Sequence, residues 1–132
     1  KGALSSGAYI LSDSKGLPDV ILIASGSEVH LAVEAKKILQ EKEIKARVVS
    51  MPSWELFEKT SDSYKNNVIL PGVTARVAIE AGISMGWERY AGDKGIIIGI
   101  DTFGASAPGG KVLKKYGFTV ENIVKKVTEL LE

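Results

Sequence analysis

Residues 20–24, Val-Ile-Leu-Ile-Ala, form an unbroken apolar run, and they constrain the fold of this chain more than any other segment. An amphipathic strand would alternate polar and apolar residues. A run without alternation is the mark of a strand covered on both faces, as in a parallel sheet between helical layers. The turn Ser25-Gly26-Ser27-Glu28 follows, and then residues 28–41, which read as an amphipathic helix with Leu31, Ala35, Ile38 and Leu39 turned inward. Ser25 or Ser27 can cap that helix, and Ser25-x-x-Glu28 has capping-box spacing. Such a turn also points unpaired backbone N–H groups at one spot, where a phosphate or carboxylate could sit.

Strands and helices continue to alternate along the chain. Residues 8–11 (AYIL) are a short first strand closed by the polar turn at 12–16, and residues 44–51 (IKARVVSM) are a third strand stopped by Pro52. Ser53 should cap a short helix, SWELFEKT, and SYKNNVIL is a second helical piece before Pro71-Gly72. Residues 75–81 and 96–100 are strands four and five, with a helical turn at 87–90 between them. The small-residue loop TFGASAPGG leads into residues 112–116. Thr119 should cap a last helix with an apolar stripe of Val120, Ile123, Val124, Val127, Leu130 and Leu131. The expected fold is α/β, a sheet with helices on both faces. The link from the first strand to the second is too short for a crossover. The two strands are therefore antiparallel if they pair; otherwise the first lies at an edge.

Bulk properties exclude several classes. The 132 residues suffice for one domain with a real core, and no repeat or linker divides them. A net charge of +1 with interspersed signs gives no electrostatic case for nucleic acid or an anionic membrane. No apolar run approaches a membrane span, and no signal-peptide pattern is present. The absence of cysteine excludes disulfides, thiolate metal sites and cysteine nucleophiles, and it is compatible with a cytoplasmic protein. The first residues are Lys1-Gly2 without an initiator methionine, as an excised piece of a longer protein would begin.

Candidate chemistry is sparse. The turn at 25–28 has one glycine where the dinucleotide fingerprint needs three, and no Gly-Lys-Ser/Thr follows as in a P-loop. It reads as an anion site or as a loop capping its own helix, and the Glu28 carboxylate disfavours the anion. His30 is the only histidine; with Glu34, Lys37 and Glu41 it forms one polar helix face, a general base or a solvated surface. Glu80 and Asp101 stand at the carboxyl ends of adjacent strands, where α/β sheets place functional groups, yet such acids more often cap the next segment or pair with a buried cation or indole, for which Arg76, Arg89 and the Trp87 N–H are available. Asp101, Thr102 and Ser106 join Ser25, Gly26 and Ser27 as candidate anion or regulatory-ligand residues. An exposed apolar patch at an interface should include at least one of Trp87, Tyr90 and Phe103, which stand beside small residues, and Trp54 and Phe57 add further large aromatics on a short helix. No metal set is apparent, and no Ser-His-Asp arrangement in a nucleophile elbow.

Several blocks are more specific than any of these. Ile23-Ala24-Ser25-Gly26-Ser27-Glu28-Val29, Arg47-Val48-Val49-Ser50-Met51-Pro52-Ser53, Phe57, Glu80-Ala81-Gly82, Gly86-Trp87, Tyr90, Gly99-Ile100-Asp101, Phe103-Gly104-Ala105-Ser106-Ala107-Pro108 and Tyr116-Gly117-Phe118-Thr119 occur in order. Together they closely resemble the C-terminal domain of transketolases, over nearly the whole chain. The related third domains of pyruvate dehydrogenase and 1-deoxyxylulose-5-phosphate synthase are less alike. The resemblance implies a three-layer αβα domain with a five-stranded, mostly parallel sheet containing one antiparallel strand. Transketolases are three-domain homodimers of the pentose phosphate pathway that use thiamine diphosphate and Mg²⁺ (or Ca²⁺) to move a two-carbon ketol unit between sugar phosphates. Their cofactor-binding motif lies in the first domain, and Gly92-Asp93-Lys94-Gly95 imitates it only in part. Their activating glutamate and substrate-binding residues belong to the middle domain. The resemblance therefore implies no catalytic, cofactor-binding or metal residue in this chain. It implies a structural, dimer-supporting domain whose partners are the other two domains. A regulatory nucleotide- or phosphate-binding module and a free-standing accessory subunit are the alternatives.

Overall fold

The computed structural model describes residues 7–83, 90, 92, 95–100 and 119–131. These contain strands β1 (Tyr9–Ser12), β2 (Val20–Ala24), β3 (Ala46–Ser50), β4 (Arg76–Ile83) and β5 (Ile96–Ile100). The helices are α1 (Val29–Glu41), α2 (Trp54–Glu58), α3 (Asp62–Val68) and α4 (Val120–Leu131), and a 3₁₀ turn at Gly26–Glu28 precedes α1. Among the described residues the strands form one five-stranded sheet in the order β1-β3-β2-β4-β5. β2 runs parallel to β3 and β4, β4 runs parallel to β5, and β1 alone is antiparallel. The mostly parallel sheet with one antiparallel strand is thus the observed one.

β2 explains why the sheet is layered. All five of its side chains are fully buried. Because strand side chains alternate, Val20, Leu22 and Ala24 enter one core and Ile21 and Ile23 the other. The first core joins Val48, Val77, Ile79 and Ile98 of the sheet to Ala32, Ala35 and Leu39 of α1 and to Ile123, Val124 and Val127 of α4. The second joins Val49 and Ala78 to Phe57 of α2 and Val68 of α3. α1 and α4 therefore cover one face, α2 and α3 the other. On α1 the fully buried residues are Ala32, Ala35 and Leu39, while Leu31 and Ile38 are only partly buried. The inward stripe lies slightly around the helix from the expected one.

The predicted caps at Ser53 and Thr119 form. The Leu56 N–H donates to the Ser53 hydroxyl at 3.2 Å and the Asn122 N–H to that of Thr119 at 3.1 Å. Ser61 caps α3 in the same way, so this helix starts and ends earlier than SYKNNVIL suggested. β1 does not pair with β2, because both edges of β2 are taken by parallel partners. It lies at the sheet edge against β3, with a bulge between Ile10 and Ser12 that leaves Leu11 unpaired and exposed. The turn expected at 87–90 lies outside the described residues except for Tyr90, as does the segment 112–116.

Arg47 fastens the edge. Its buried guanidinium grips the Asp13 carboxylate at two points, 2.9 Å from Nε and 3.2 Å from the second terminal nitrogen. Its other terminal nitrogen donates to the carbonyls of Asn67 and Val68 at the end of α3, at 2.7 and 3.2 Å. One side chain thus joins the β1–β2 turn, β3 and α3. Gly7 holds the start of β1 against α2: its carbonyl accepts from the Ser53 N–H at 3.0 Å. It has φ +80, and a Cβ there would stand 2.3 Å from the Ser53 carbonyl oxygen and 2.4 Å from the Phe57 nitrogen.

Two outcomes follow for stability. Gly7→Ala combines a left-handed conformation with a backbone clash and should cost about 2–4 kcal/mol, read from the urea midpoint. For Asp13, partial burial pushes the carboxyl up. The hydrogen bonds from Arg47 and the Ser14 N–H, and the charges of Arg47 and Lys36, outweigh this and hold it below its ordinary value. A carboxyl depressed in the folded state contributes fully above its unfolded value of about 3.9, and the contribution disappears as pH falls through the lower folded value. With the Asp13 side chain 43% exposed, screening limits the pair to about 0.5–1 kcal/mol at neutral pH. Asp13→Asn should be less stable than the parent by that amount at pH 7, and urea titrations should show the gap closing below about pH 4.

Candidate functional site

The carboxyl ends of β2 and β4 are where an α/β sheet would build a site, since connections leave these two neighbours toward opposite edges. Ser25 ends β2 in extended conformation, and Gly26 then turns the chain with φ +59, a left-handed value that favours glycine. The expected capping box is not made. The Ser25 hydroxyl makes no cap bond to this turn, and the bond that closes it runs from the Glu28 N–H to the Ser25 carbonyl at 3.3 Å. The physical reason is the 3₁₀ turn itself, which inserts a tight i to i+3 closure between strand and helix. Glu28 then stands at the N-cap of α1 without a side-chain cap bond. One of its carboxylate oxygens lies 3.9 Å from where a Cβ on Gly26 would be, so negative charge folds back over the turn.

The turn packs against β4, and the ladder carries Ala24 beside Ile79 and Glu80 beside Gly99. β4 does not end at Glu80 but continues to Ile83, with a register shift between Glu80 and Ile83. The structure therefore brings Ser25, Gly26 and the backbone of Ser27 to the same end of the sheet as Glu80. Asp101, Thr102 and Ser106 lie outside the described residues, as do Trp87, Arg89 and Phe103. His30, Glu34, Lys37 and Glu41 are exposed on α1, with Lys37 paired to Glu34 at 3.2 Å, in agreement with a solvated polar face.

The structure places two further side chains. Arg76 does not reach toward a strand-end acid. It sits at the opposite end of β4, where Nε donates to the Val73 carbonyl at 2.9 Å and the terminal nitrogens to those of Tyr90 and Leu70 at 3.1 and 3.0 Å. Tyr90 is only 4% exposed and so does not itself contribute to an exposed patch; Trp87 and Phe103, the other members of the expected patch, lie outside the described residues. Its ring packs edge-on against Trp54 and Phe57, with centroids 5.6 and 5.9 Å away, and its hydroxyl donates to Glu58 at 2.7 Å. Phe57 is likewise buried and Trp54 half-buried. Neither Glu58 nor Lys65 was singled out by the sequence. They lie on two separate short helices, and nothing in their spacing marks them as meeting at 3.4 Å.

The described residues contain no group of three His, Cys, Asp or Glu side chains that could hold a metal ion.

A mostly parallel sheet between two helical layers, with its candidate site at the strand carboxyl ends, defines a doubly wound α/β domain. Comparison with known proteins gives it a family. The model for the transketolase-like TK C-terminal domain matches residues 7–119, and the chain belongs to that family. It is 51% identical over 129 residues to the transketolase of Halalkalibacterium halodurans, covering 98% of this chain and 19% of that protein. The transketolase of Leishmania mexicana superposes with a TM-score of 0.85 at 43% identity, over 98% of this chain and 18% of the other. The Pichia stipitis transketolase, in complex with sedoheptulose-7-phosphate, superposes at 0.84 with 35% identity over the same shares. This chain thus spans about a fifth of the length of the relatives it matches.

If Gly26 owes its identity to backbone geometry, Gly26→Ala should lower stability by about 1 kcal/mol, seen as a lower melting temperature. No steric clash adds to this, since the nearest atom to the new methyl is the Glu28 oxygen.

Proposed function

We propose that this chain serves as the C-terminal domain of a transketolase, a structural part of an enzyme whose chemistry is carried by its other domains. The observation that carries this reading is 51% identity over nearly all of the chain to an enzyme about five times longer. The parent transfers a two-carbon ketol unit between sugar phosphates, in keeping with the sedoheptulose-7-phosphate bound by the Pichia stipitis relative. Thiamine diphosphate and Mg²⁺ (or Ca²⁺) are held by the first and middle domains, and the 132 residues here form a single unit that packs against them and supports a homodimer. A cytoplasmic location accords with the lack of cysteine. Among the described residues no helix is long and apolar enough to cross a membrane.

A domain exchange tests the reading. This chain replaces the corresponding C-terminal fifth of the Halalkalibacterium halodurans transketolase. With thiamine diphosphate and Mg²⁺, the chimera should be dimeric and transfer ketol units between sugar phosphates at a rate within about tenfold of the parent, a barrier change below about 1.4 kcal/mol. The isolated chain under the same conditions should show no turnover. Turnover by the isolated chain, or a folded dimeric chimera without activity, would overturn the assignment.

A further inference from the structure

On the face covered by α2 and α3, a cavity of about 390 Å³ opens between these helices and the start of β4. Phe57, Ile69 and Pro71 contribute apolar wall, and Glu58, Lys65, Asn66, Arg76 and Tyr90 contribute polar atoms. The volume lies in the range of small-molecule sites, and an apolar wall with a few convergent polar groups is their usual composition.

Among the described lining residues, cations outnumber carboxylates. Glu58 is already engaged at both oxygens: one faces the Lys65 ammonium at 3.4 Å and the other accepts from the Tyr90 hydroxyl at 2.7 Å. Arg76 is part-buried, and its three hydrogen bonds all go to neutral main-chain carbonyls. Among the described residues no carboxylate pairs with it, and burial lowers its pKa from the ordinary arginine value. A guanidinium carries five N–H donors, so three bonds leave two. A half-buried cation compensated only by carbonyl dipoles is stabilised by an anion that can reach it. Among the described residues that line the cavity, two cations thus face one carboxylate.

We propose that this cavity is a binding site for a small phosphate-bearing molecule, its phosphate oxygens held by Arg76 and Lys65 with the Asn66 amide at the rim. Phosphate suits the donor set better than a carboxylate does. A forked guanidinium, an ammonium and an amide NH₂ offer more donors than two carboxylate oxygens can use, whereas a phosphate monoester presents three terminal oxygens. The site is distinct from the turn at Ser25–Glu28, where a carboxylate already lies over the helix start.

The test uses the intact chain and inorganic phosphate at constant ionic strength. The side-chain Nε–H resonance of Arg76 should shift saturably, and acetate at equal concentration should bind at least about tenfold more weakly, one charge-assisted hydrogen bond being worth that much. Lys65→Gln should weaken phosphate binding about tenfold while leaving the melting temperature nearly unchanged, since its pair with Glu58 is a surface one. Arg76→Lys retains the charge without the fork and should also bind phosphate more weakly. It guards against the case in which complete loss of the arginine unfolds the chain. A linear, non-saturating response, equal affinity for acetate, or unchanged affinity in folded Lys65→Gln would each overturn the proposal.

Discussion

The burial of Val20–Ala24 is the constraint on which the other elements depend. A strand with no exposed side chain needs apolar cover on both faces and hydrogen-bonded neighbours on both edges. Leaving either face wet would expose two or three aliphatic side chains, at about 1.5–3 kcal/mol each. α1 and α4 supply one cover, α2 and α3 the other, and β3 and β4 occupy the two edges. Once those positions are taken, β1 has no place beside its sequence neighbour and goes to the outer edge of β3. The antiparallel direction of β1 then follows from a connection too short to carry the chain back to the other end of the sheet.

How much of this the residues disclosed depends on the range of the interaction involved. β2 and β5 were readable to the residue, because an apolar run bounded by turn residues is a local signal. Ser53 and Thr119 were readable as caps for the same reason: a hydroxyl and an amide three residues apart need no tertiary information. Ser25 has the same local spacing and yet does not cap, because Gly26 takes a left-handed turn that only the surrounding fold decides. The burial of Tyr90 was not legible because its partners are distant in sequence. Tyr90 meets Glu58 and Phe57 across more than thirty residues, a juxtaposition made by the sheet and invisible in spacing.

The two places that attracted chemical interest are electrostatic opposites. At the start of α1 the backbone offers the positive end of a helix, but Glu28 brings a carboxylate to the same spot. Behind α2 and α3 the positive character comes from side chains, Arg76 and Lys65, of which only Lys65 meets a carboxylate among the described residues.

The two-sided cover of β2 has a kinetic side as well. Its amides are bonded to strands on both flanks and roofed on both faces, so they can exchange with solvent only when the whole domain opens. β1 is bonded on one flank, carries a bulge at Leu11, and is fastened by the half-exposed pair between Arg47 and Asp13. Opening should therefore begin at that edge and move inward through β3. The sheet has a gradient of lifetimes across its width, and its slowest-exchanging protons lie in the same five residues that dictate its shape.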